Sequence, residues 1–225
     1  MTIAIKYAGA FVEDGHVGGH EAGATLVRRL MRVFPGAKLV GGQARHADGF
    51  DVVPLEFLDP SETVVVNMDV VDSGSVWRSF AGAGTEPMVM NFVWWNTSQF
   101  THPVQRASLA LSCAMFPTFA NSERTATEIR EIVKSLTVPQ IAEKARIAWV
   151  NLGIRLDHVQ AREEPTVPIV LYPAIYLSDR KNPQLFLDVV EAVHKRTPIH
   201  VEARLHESHL INERALKLSR KDWAW

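Results

Sequence analysis

The sequence predicts an α/β fold with a mainly parallel sheet, and its N-terminal segments carry this prediction. Residues 2–7 form an apolar run typical of a buried strand, and the glycine-rich segment 15–19 follows them. Apolar side chains then recur at spacings of three and four residues, which predicts a helix containing Val27, Leu30, Met31 and Phe34. Residues 37–40 predict a second strand. A strand, a helix and a strand in this order need a crossover connection, so we expect the two strands to be parallel.

The same alternation continues to about residue 150. Short apolar runs bounded by turn-forming residues predict strands or buried segments of one sheet at residues 51–57, 63–68, 87–94 and 109–116. Ser122 is a suitable N-cap for a helix whose apolar face would consist of Ile129, Ile132, Val133 and Leu136. Residues 145–150 predict a further strand.

A domain boundary is expected where the apolar pattern lapses. Residues 160–168 are polar and contain two prolines. We therefore assign residues 1–165 to a first domain and residues 166–225 to a second, partial one. The second domain begins another α/β pattern, with strands at 169–172 and 199–203, a helix between them and a further helix near 210–218.

Composition excludes several classes of protein. The net charge of −1 disfavours strong binding to nucleic acid or to a membrane surface. Cys113 is the only cysteine, so an intramolecular disulfide framework or a cysteine-clustered metal site is excluded. No stretch approaches the ~20 apolar residues of a membrane span. We expect a cytoplasmic protein without a transmembrane segment.

The glycine-rich segment 15–19 lies where the first strand turns into the first helix. Backbone there can approach a ligand closely, and a helix N-terminus favours anions. The equally weighted alternative is a tight turn in which the glycines only permit unusual dihedral angles. Neither G-x-G-x-x-G nor the G-x-x-x-x-G-K-[ST] phosphate loop is present, which disfavours a nicotinamide dehydrogenase and a P-loop nucleotidase.

Two tryptophans follow the strand predicted at residues 87–94, at the carboxyl edge where open α/β sheets bind ligands. Aromatic rings can stack on the apolar faces of a sugar, and neighbouring amides can bind its hydroxyls. Trp95 and Asn96 are therefore the candidate acceptor-binding residues. The alternative is that the tryptophans fill the core, and we favour this alternative for Trp94.

Four segments, in order along the chain, resemble the glycosyltransferase family 4 group of GT-B enzymes. Residues 3–5 with the G-G-H-E of residues 18–21 resemble the family's opening, and residues 119–125 (FANSERT) resemble its strand-to-helix segment. Residues 146–157 resemble the interdomain segment. Residues 169–172, followed by 178–183, are similar to the opening of the donor-binding domain.

The resemblance implies a GT-B-like fold of two Rossmann-like domains, with a nucleotide-diphosphate sugar as donor substrate, no other cofactor and no metal ion. It assigns donor binding to Lys181, and Arg180 would add a second cation for the diphosphate. Gly18 and Gly19 would contribute through the amides of the adjacent helix. Two complete domains would need roughly 300 residues, so we expect the chain to be a fragment that contains the acceptor domain and the beginning of the donor domain.

The resemblance has departures. The family's Gly-Arg pair for the donor diphosphate falls at Ile175 and Tyr176, and its interdomain asparagine and aspartate fall at Leu152 and Arg155. Arg180 and Lys181 could also be solvated residues at a helix start. Two histidines, His206 and His209, lack the spacing of a zinc-binding motif, so we expect no metal site.

The leading hypothesis is a glycosyltransferase-like protein that moves a sugar from a nucleotide-diphosphate donor to a carbohydrate or other hydroxyl acceptor. The alternative is a non-catalytic carbohydrate- or partner-binding module derived from the same fold. The sequence identifies no catalytic residue. An incomplete second domain would expose a sheet edge and apolar surface, which makes a homo-oligomer possible.

Overall fold

The computed structural model describes residues 1–19, 21–81, 85–153, 163–172, 174 and 177–205. The chain divides into two compact units, Met1–Ile154 and Arg155–Trp225, and each is described by itself. Residues 154–162 lie outside the described part, so the boundary expected at residues 165 and 166 stays a prediction.

The first unit contains an eight-stranded sheet and a small antiparallel hairpin. The strands are, in chain order, β1 (Thr2–Lys6), the hairpin strands β2 (Val12–Glu13) and β3 (His16–Val17), then β4 (Lys38–Val40), β5 (Arg45–Ala47), β6 (Phe50–Val53), β7 (Thr63–Asn67), β8 (Met88–Val93), β9 (Thr118–Ala120) and β10 (Ile147–Trp149). The order across the sheet is β10-β9-β8-β7-β1-β4-β6-β5. Every pair in it is parallel except the pair formed by β5 and β6.

Five helices accompany this sheet: α1 (Ala22–Val33), α2 (Ser73–Phe80), α3 (Pro103–Met115), α4 (Glu123–Leu136) and the short α5 (Pro139–Ala142). The face occupied by each helix follows from the alternation of side chains along the strands. Val66 and Phe92 pack with Leu26 and Val27 of α1. The alternate residues Val65, Val89 and Val93 pack against α2, α3 and α4 on the other face. The sheet is therefore a layer between helices.

The strand order defines a Rossmann-like α/β fold and confirms the expected mainly parallel sheet. The chain starts at β1, moves outward through β4 to β6, returns to the other side of β1 at β7 and moves outward again to β10. This reversal beside β1 is the topological switch point of a doubly wound sheet. None of the helices in the described part is both long and apolar enough to span a membrane.

Most predicted elements are confirmed within two or three residues. The helix after Ser122 begins where expected, since the Ser122 hydroxyl accepts a hydrogen bond from the Thr125 amide at 3.2 Å. The strand predicted at residues 51–57 is shorter, because Pro54 is followed by a 3-10 turn at Leu55–Phe57.

Several local predictions were incomplete or wrong, and β5 and α5 were not predicted. Residues 109–116 belong mainly to α3 and not to a strand; this helix carries apolar residues on its exposed side too, which hides its periodicity. Helix α2 was missed because its first turn, Ser73-Gly74-Ser75, has weak helix propensity. Part of the glycine-rich segment 15–19 forms the β2–β3 hairpin, and Asp14 and Gly15, at positive φ, make its turn.

The second unit contains a parallel pair of strands, β11 (Ile169–Tyr172) and β12 (His200–Ala203), connected through α6 (Pro183–His194). Its small core consists of Leu187, Val190, Ile199 and Val201. This is the strand–helix–strand pattern expected from the sequence. The helix predicted near residues 210–218 lies outside the described residues.

The first unit's packing predicts the reactivity of the single thiol. Cys113 is 0% exposed on the buried side of α3, in the core shared with α4, and burial raises its pKa to about 12. We expect Ellman's reagent to modify Cys113 only when the structure opens. The reference is an exposed thiol introduced by Ser98→Cys in a Cys113→Ser background, which the reagent should modify far more quickly. Equal labelling rates in the folded proteins would contradict the packing of α3.

Candidate functional site

The switch point brings the carboxyl ends of β1 and β7 together. β1 lies between β4 and β7, and its last residue, Lys6, is in register with Asn67 at the end of β7. Open α/β sheets bind ligands in the crevice formed at such a reversal. The residues at this edge therefore form the candidate site.

A row of polar side chains starts at this edge, at the ends of β1 and β7, and crosses the sheet to the middle of β8 and the start of β9. The register places one residue from each of four adjacent strands side by side: Lys6, Asn67, Asn91 and Thr118. The last three are buried. Asparagine is disfavoured inside a strand, and a buried amide destabilises the fold unless it is hydrogen-bonded.

The hydroxyl of Ser73, at the start of α2, connects the two asparagines. Asn67 Nδ2 donates to Ser73 Oγ at 2.8 Å, and Ser73 Oγ lies 2.6 Å from Asn91 Oδ1, to which it donates. Asn91 Nδ2 donates in turn to Thr118 Oγ1 at 3.1 Å and to the Ser112 carbonyl of α3 at 3.1 Å. The row thus fixes three strands and two helices relative to one another.

An ion cluster forms the exposed end of the row. Lys6 Nζ donates to Asp69 Oδ2 at 3.0 Å and to Asp72 Oδ2 at 2.9 Å. The Ala8 amide also donates to Asp69 Oδ2, at 2.7 Å. Burial lowers the pKa of Lys6, but the bonds to Asp72 and Asp69 outweigh burial, so this pKa lies above its ordinary value. These contacts tie the chain leaving β1 to the chain leaving β7.

Tyr7 fills the space between this cluster and α1. Its ring lies against Gly9 and Gly23, where an added Cβ would collide with it. The ring meets Trp94 edge to face at a centroid distance of 5.6 Å. The Tyr7 hydroxyl donates to Glu21 Oε2 at 3.3 Å, and burial together with the charge of Glu21 raises the pKa of Tyr7 to about 12. Tyr7 is therefore a neutral hydrogen-bond donor at physiological pH.

The loop before α1 is held by its own contacts. The Phe11 ring covers Gly18, so that no side chain larger than glycine's fits there, and Gly19 has a φ of +90°. Arg28 Nη1 donates to the carbonyls of Val17 and Gly19, at 2.8 Å each. Gly19 thus has the unusual dihedral angle that the alternative expected, and ligand contact by Gly18 and Gly19 stays a prediction.

The N-terminus of α1 carries free backbone donors. Its N-cap residue, Glu21, makes no side-chain cap hydrogen bond. The amides of residues 22–24 make no hydrogen bond to any described residue. Unpaired amides at a helix N-terminus favour an anion, although the carboxylate of Glu21 places a negative charge next to them.

The structure places Trp94, Trp95 and Asn96 just after β8. Trp94 packs against the core beside Tyr7, as the alternative expected. Trp95 packs against Phe100 at a centroid distance of 4.2 Å. Asn96 is exposed, and its Oδ1 accepts a hydrogen bond from the Ser98 amide at 2.9 Å. The Asn96 Nδ2 group makes no hydrogen bond to a described residue. Acceptor binding by Trp95 and Asn96 stays a prediction.

Lys181 and Arg180 belong to the second unit. Both lie in the 3-10 turn Asp179–Lys181 before α6, and Lys181 is exposed. Asn182 has a φ of 45° and caps α6 by accepting from the Leu185 amide at 3.3 Å. The side chain of Arg180 and residues 175 and 176 lie outside the described part. A donor site shared by Lys181 and the Gly18-Gly19 loop stays a prediction.

The remaining candidates add no further site. Within the described ranges, no group of three or more histidine, cysteine, aspartate or glutamate side chains could hold a metal ion. His206 and His209 lie outside those ranges. The high pKa of the buried Cys113 thiol disfavours a nucleophilic role.

Comparison with known proteins gives no family assignment. No protein-family model matches the chain, and no curated protein shows significant sequence similarity to it.

Sequence reasoning missed the polar row and the Lys6 cluster. The available signal was an asparagine within each of two predicted strands, Asn67 in residues 63–68 and Asn91 in residues 87–94. The register that places the two side by side comes from strand pairing, which the spacing along the chain does not specify.

The loop that carries Asn96 yields a prediction about pH. Glu128 Oε2 accepts from Thr97 Oγ1 at 2.6 Å and its Oε1 accepts from Arg124 Nε at 2.9 Å, and these bonds lower the pKa of Glu128. A lowered pKa in the folded state contributes stability above the unfolded pKa and loses it as the pH falls through the folded value.

We expect Glu128→Gln to lower the free energy of unfolding in urea at pH 7 by about 0.5–1 kcal/mol, a small value because the side chain is 28% exposed. The difference from wild type should shrink below the ordinary glutamate pKa. Glu131→Gln, three residues later on α4 and exposed, is the control and should change little. Equal effects of the two substitutions at pH 7 would contradict this account.

Proposed function

We propose that the chain contains the acceptor domain and the beginning of the donor domain of a GT-B-type glycosyltransferase. Its activity would be transfer of a sugar from a nucleotide-diphosphate donor to an acceptor hydroxyl. The observation that carries the proposal is the carboxyl edge of a Rossmann-like sheet, where a Gly-Gly loop leads into a helix whose amides at residues 22–24 bond to no described residue. This geometry adds to the four sequence segments that resemble the family.

The chemistry of such a transfer requires stabilisation of the departing diphosphate. Positioned amides and cations stabilise developing negative charge without reorganising during the reaction. The ammonium group of Lys181 in the second unit would bind the diphosphate, as the resemblance implies. In the first unit, the amides of residues 22–24 favour an anion, and Arg28 holds the carbonyls of the loop that leads to them. Tyr7 stays protonated at the same edge because of its high pKa, and its single O–H is donated to Glu21.

The second candidate is a non-catalytic carbohydrate- or partner-binding module. Two observations favour it: Tyr176 stands where the family has an arginine, and Glu21 places a carboxylate beside the α1 amides. Release of UDP from UDP-glucose, or of GDP from GDP-mannose, by the purified chain would favour the enzyme. Binding without release would favour the module.

Titration calorimetry with UDP and GDP tests the donor site. We expect weak binding by this chain, since few groups contact the diphosphate. Lys181→Ala should weaken it about tenfold or more, because a charge-assisted hydrogen bond contributes about 1.5–3 kcal/mol.

Lys195→Ala is the matched control, because Lys195 is also exposed but lies at the opposite end of α6. An unchanged affinity in Lys181→Ala, or an equal loss in both variants, would overturn the donor-site proposal.

A further inference from the structure

A polar groove on the first unit is lined by the loop after β8, by Arg106 near the start of α3 and by one side of α4. It has a volume of about 430 Å³. The loop after β8 contributes Asn96 and Ser98 to one end of the groove. Arg106, near the start of α3, and Arg124, near the start of α4, complete this end. Pockets of this size are typical of small-molecule sites.

Both helices place an arginine where the helix dipole disfavours it. Arg106 is the fourth residue of α3, and Arg124 is the second residue of α4. The first turn of a helix carries partial positive charge and favours acidic side chains, yet that of α3 has none. Departures from a local stability rule concentrate at functional sites. The first turn of α4 does contain an acidic residue, Glu123, so α3 with Arg106 is the clear departure, and Arg106 lines the groove together with Arg124.

The hydrogen-bond donors of these arginines are largely available. Arg124 uses its Nε to bond Glu128, whose other oxygen is bonded by Thr97. The Nη groups of Arg124 make no hydrogen bond to a described residue. The half-buried Arg106 side chain has no hydrogen-bond or ion-pair partner in the described part of the chain. The groove therefore offers all the N–H donors of the Arg106 guanidinium and the Nη donors of the Arg124 guanidinium.

The charge in the groove is unevenly distributed. Glu128 is paired, and the other acidic residue, Glu131, lies seven residues after Arg124, about 10 Å further along α4. The end formed by the loop after β8 combines Arg106, Arg124 and the positive ends of two helices with one carboxylate, that of Glu128. The Asn96 amide and the Ser98 hydroxyl beside them suit neutral hydroxyl groups.

We propose that this groove binds an anionic carbohydrate, a sugar carrying a phosphate or a carboxylate, with the anion on Arg106 and Arg124 and the sugar hydroxyls on Asn96 and Ser98. Guanidinium groups bind both kinds of anion through paired hydrogen bonds. The site belongs to the first unit alone. It stands whether or not the second unit binds a nucleotide.

The test is calorimetric titration of the chain with glucose 6-phosphate, glucuronate, glucose and inorganic phosphate at low ionic strength. At least one of the two anionic sugars should bind tenfold or more tightly than both glucose and phosphate, and the preferred one identifies the anion. Arg106→Gln should weaken that binding about tenfold, and Arg106→Lys should restore only part of it, because lysine lacks the fork of donors.

Arg78→Gln on α2 is the control, since that arginine is exposed and outside the groove. Arg106→Gln should also leave the melting temperature equal or higher without ligand, because it removes a cation from the start of α3. The proposal is overturned if neither anionic sugar exceeds glucose and phosphate, or if Arg106→Gln and Arg78→Gln affect binding equally.

Discussion

The buried polar row across β7, β8 and β9 is the constraint on which the carboxyl edge depends. A core of apolar side chains tolerates many small shifts, but Asn67, Asn91 and Thr118 must find their partners in one arrangement. A register shift of one residue would move each of these side chains to the opposite face of the sheet and leave buried amides unpaired. The row therefore specifies the register of the three strands and the position at which α2 begins.

The same constraint extends to the candidate site. Asn67 is next to Lys6 in the sheet, and Lys6 binds Asp69 and Asp72 in the chain that leaves β7. Asp69 also holds the Ala8 amide, and so it fixes the path of the backbone after Tyr7. The edge at which we propose ligand binding is thus rigid before any ligand arrives. Such pre-organisation reduces the entropic cost of binding.

The sequence predicted the fold better than the site. The parallel sheet could be predicted because β1, α1 and β4 each carry their own periodicity, and α4 because Ser122 and Ile129 mark its cap and its buried face. Helix α3 could not be assigned, since apolar residues such as Leu111 and Met115 lie on its exposed side. The position of the site at the carboxyl edge follows from the order of elements. Lys6 bonds to Asp69 and Asp72, which are 63 and 66 positions away. In the polar row, Asn91 bonds to Ser73 and Thr118, which are 18 and 27 positions away, and local patterns do not encode such contacts.

Substitution of Ser73 tests the central claim most directly, because this one hydroxyl joins Asn67 to Asn91. Ser73→Ala removes a single buried oxygen and leaves the Asn91 carbonyl oxygen without its donor. The free energy of unfolding, measured by urea denaturation, should fall by about 1–3 kcal/mol. Ser75→Ala, at an exposed position two residues later on α2, should change it by less than about 0.5 kcal/mol. Equal effects of the two substitutions would contradict the claim that the polar row holds this edge in place.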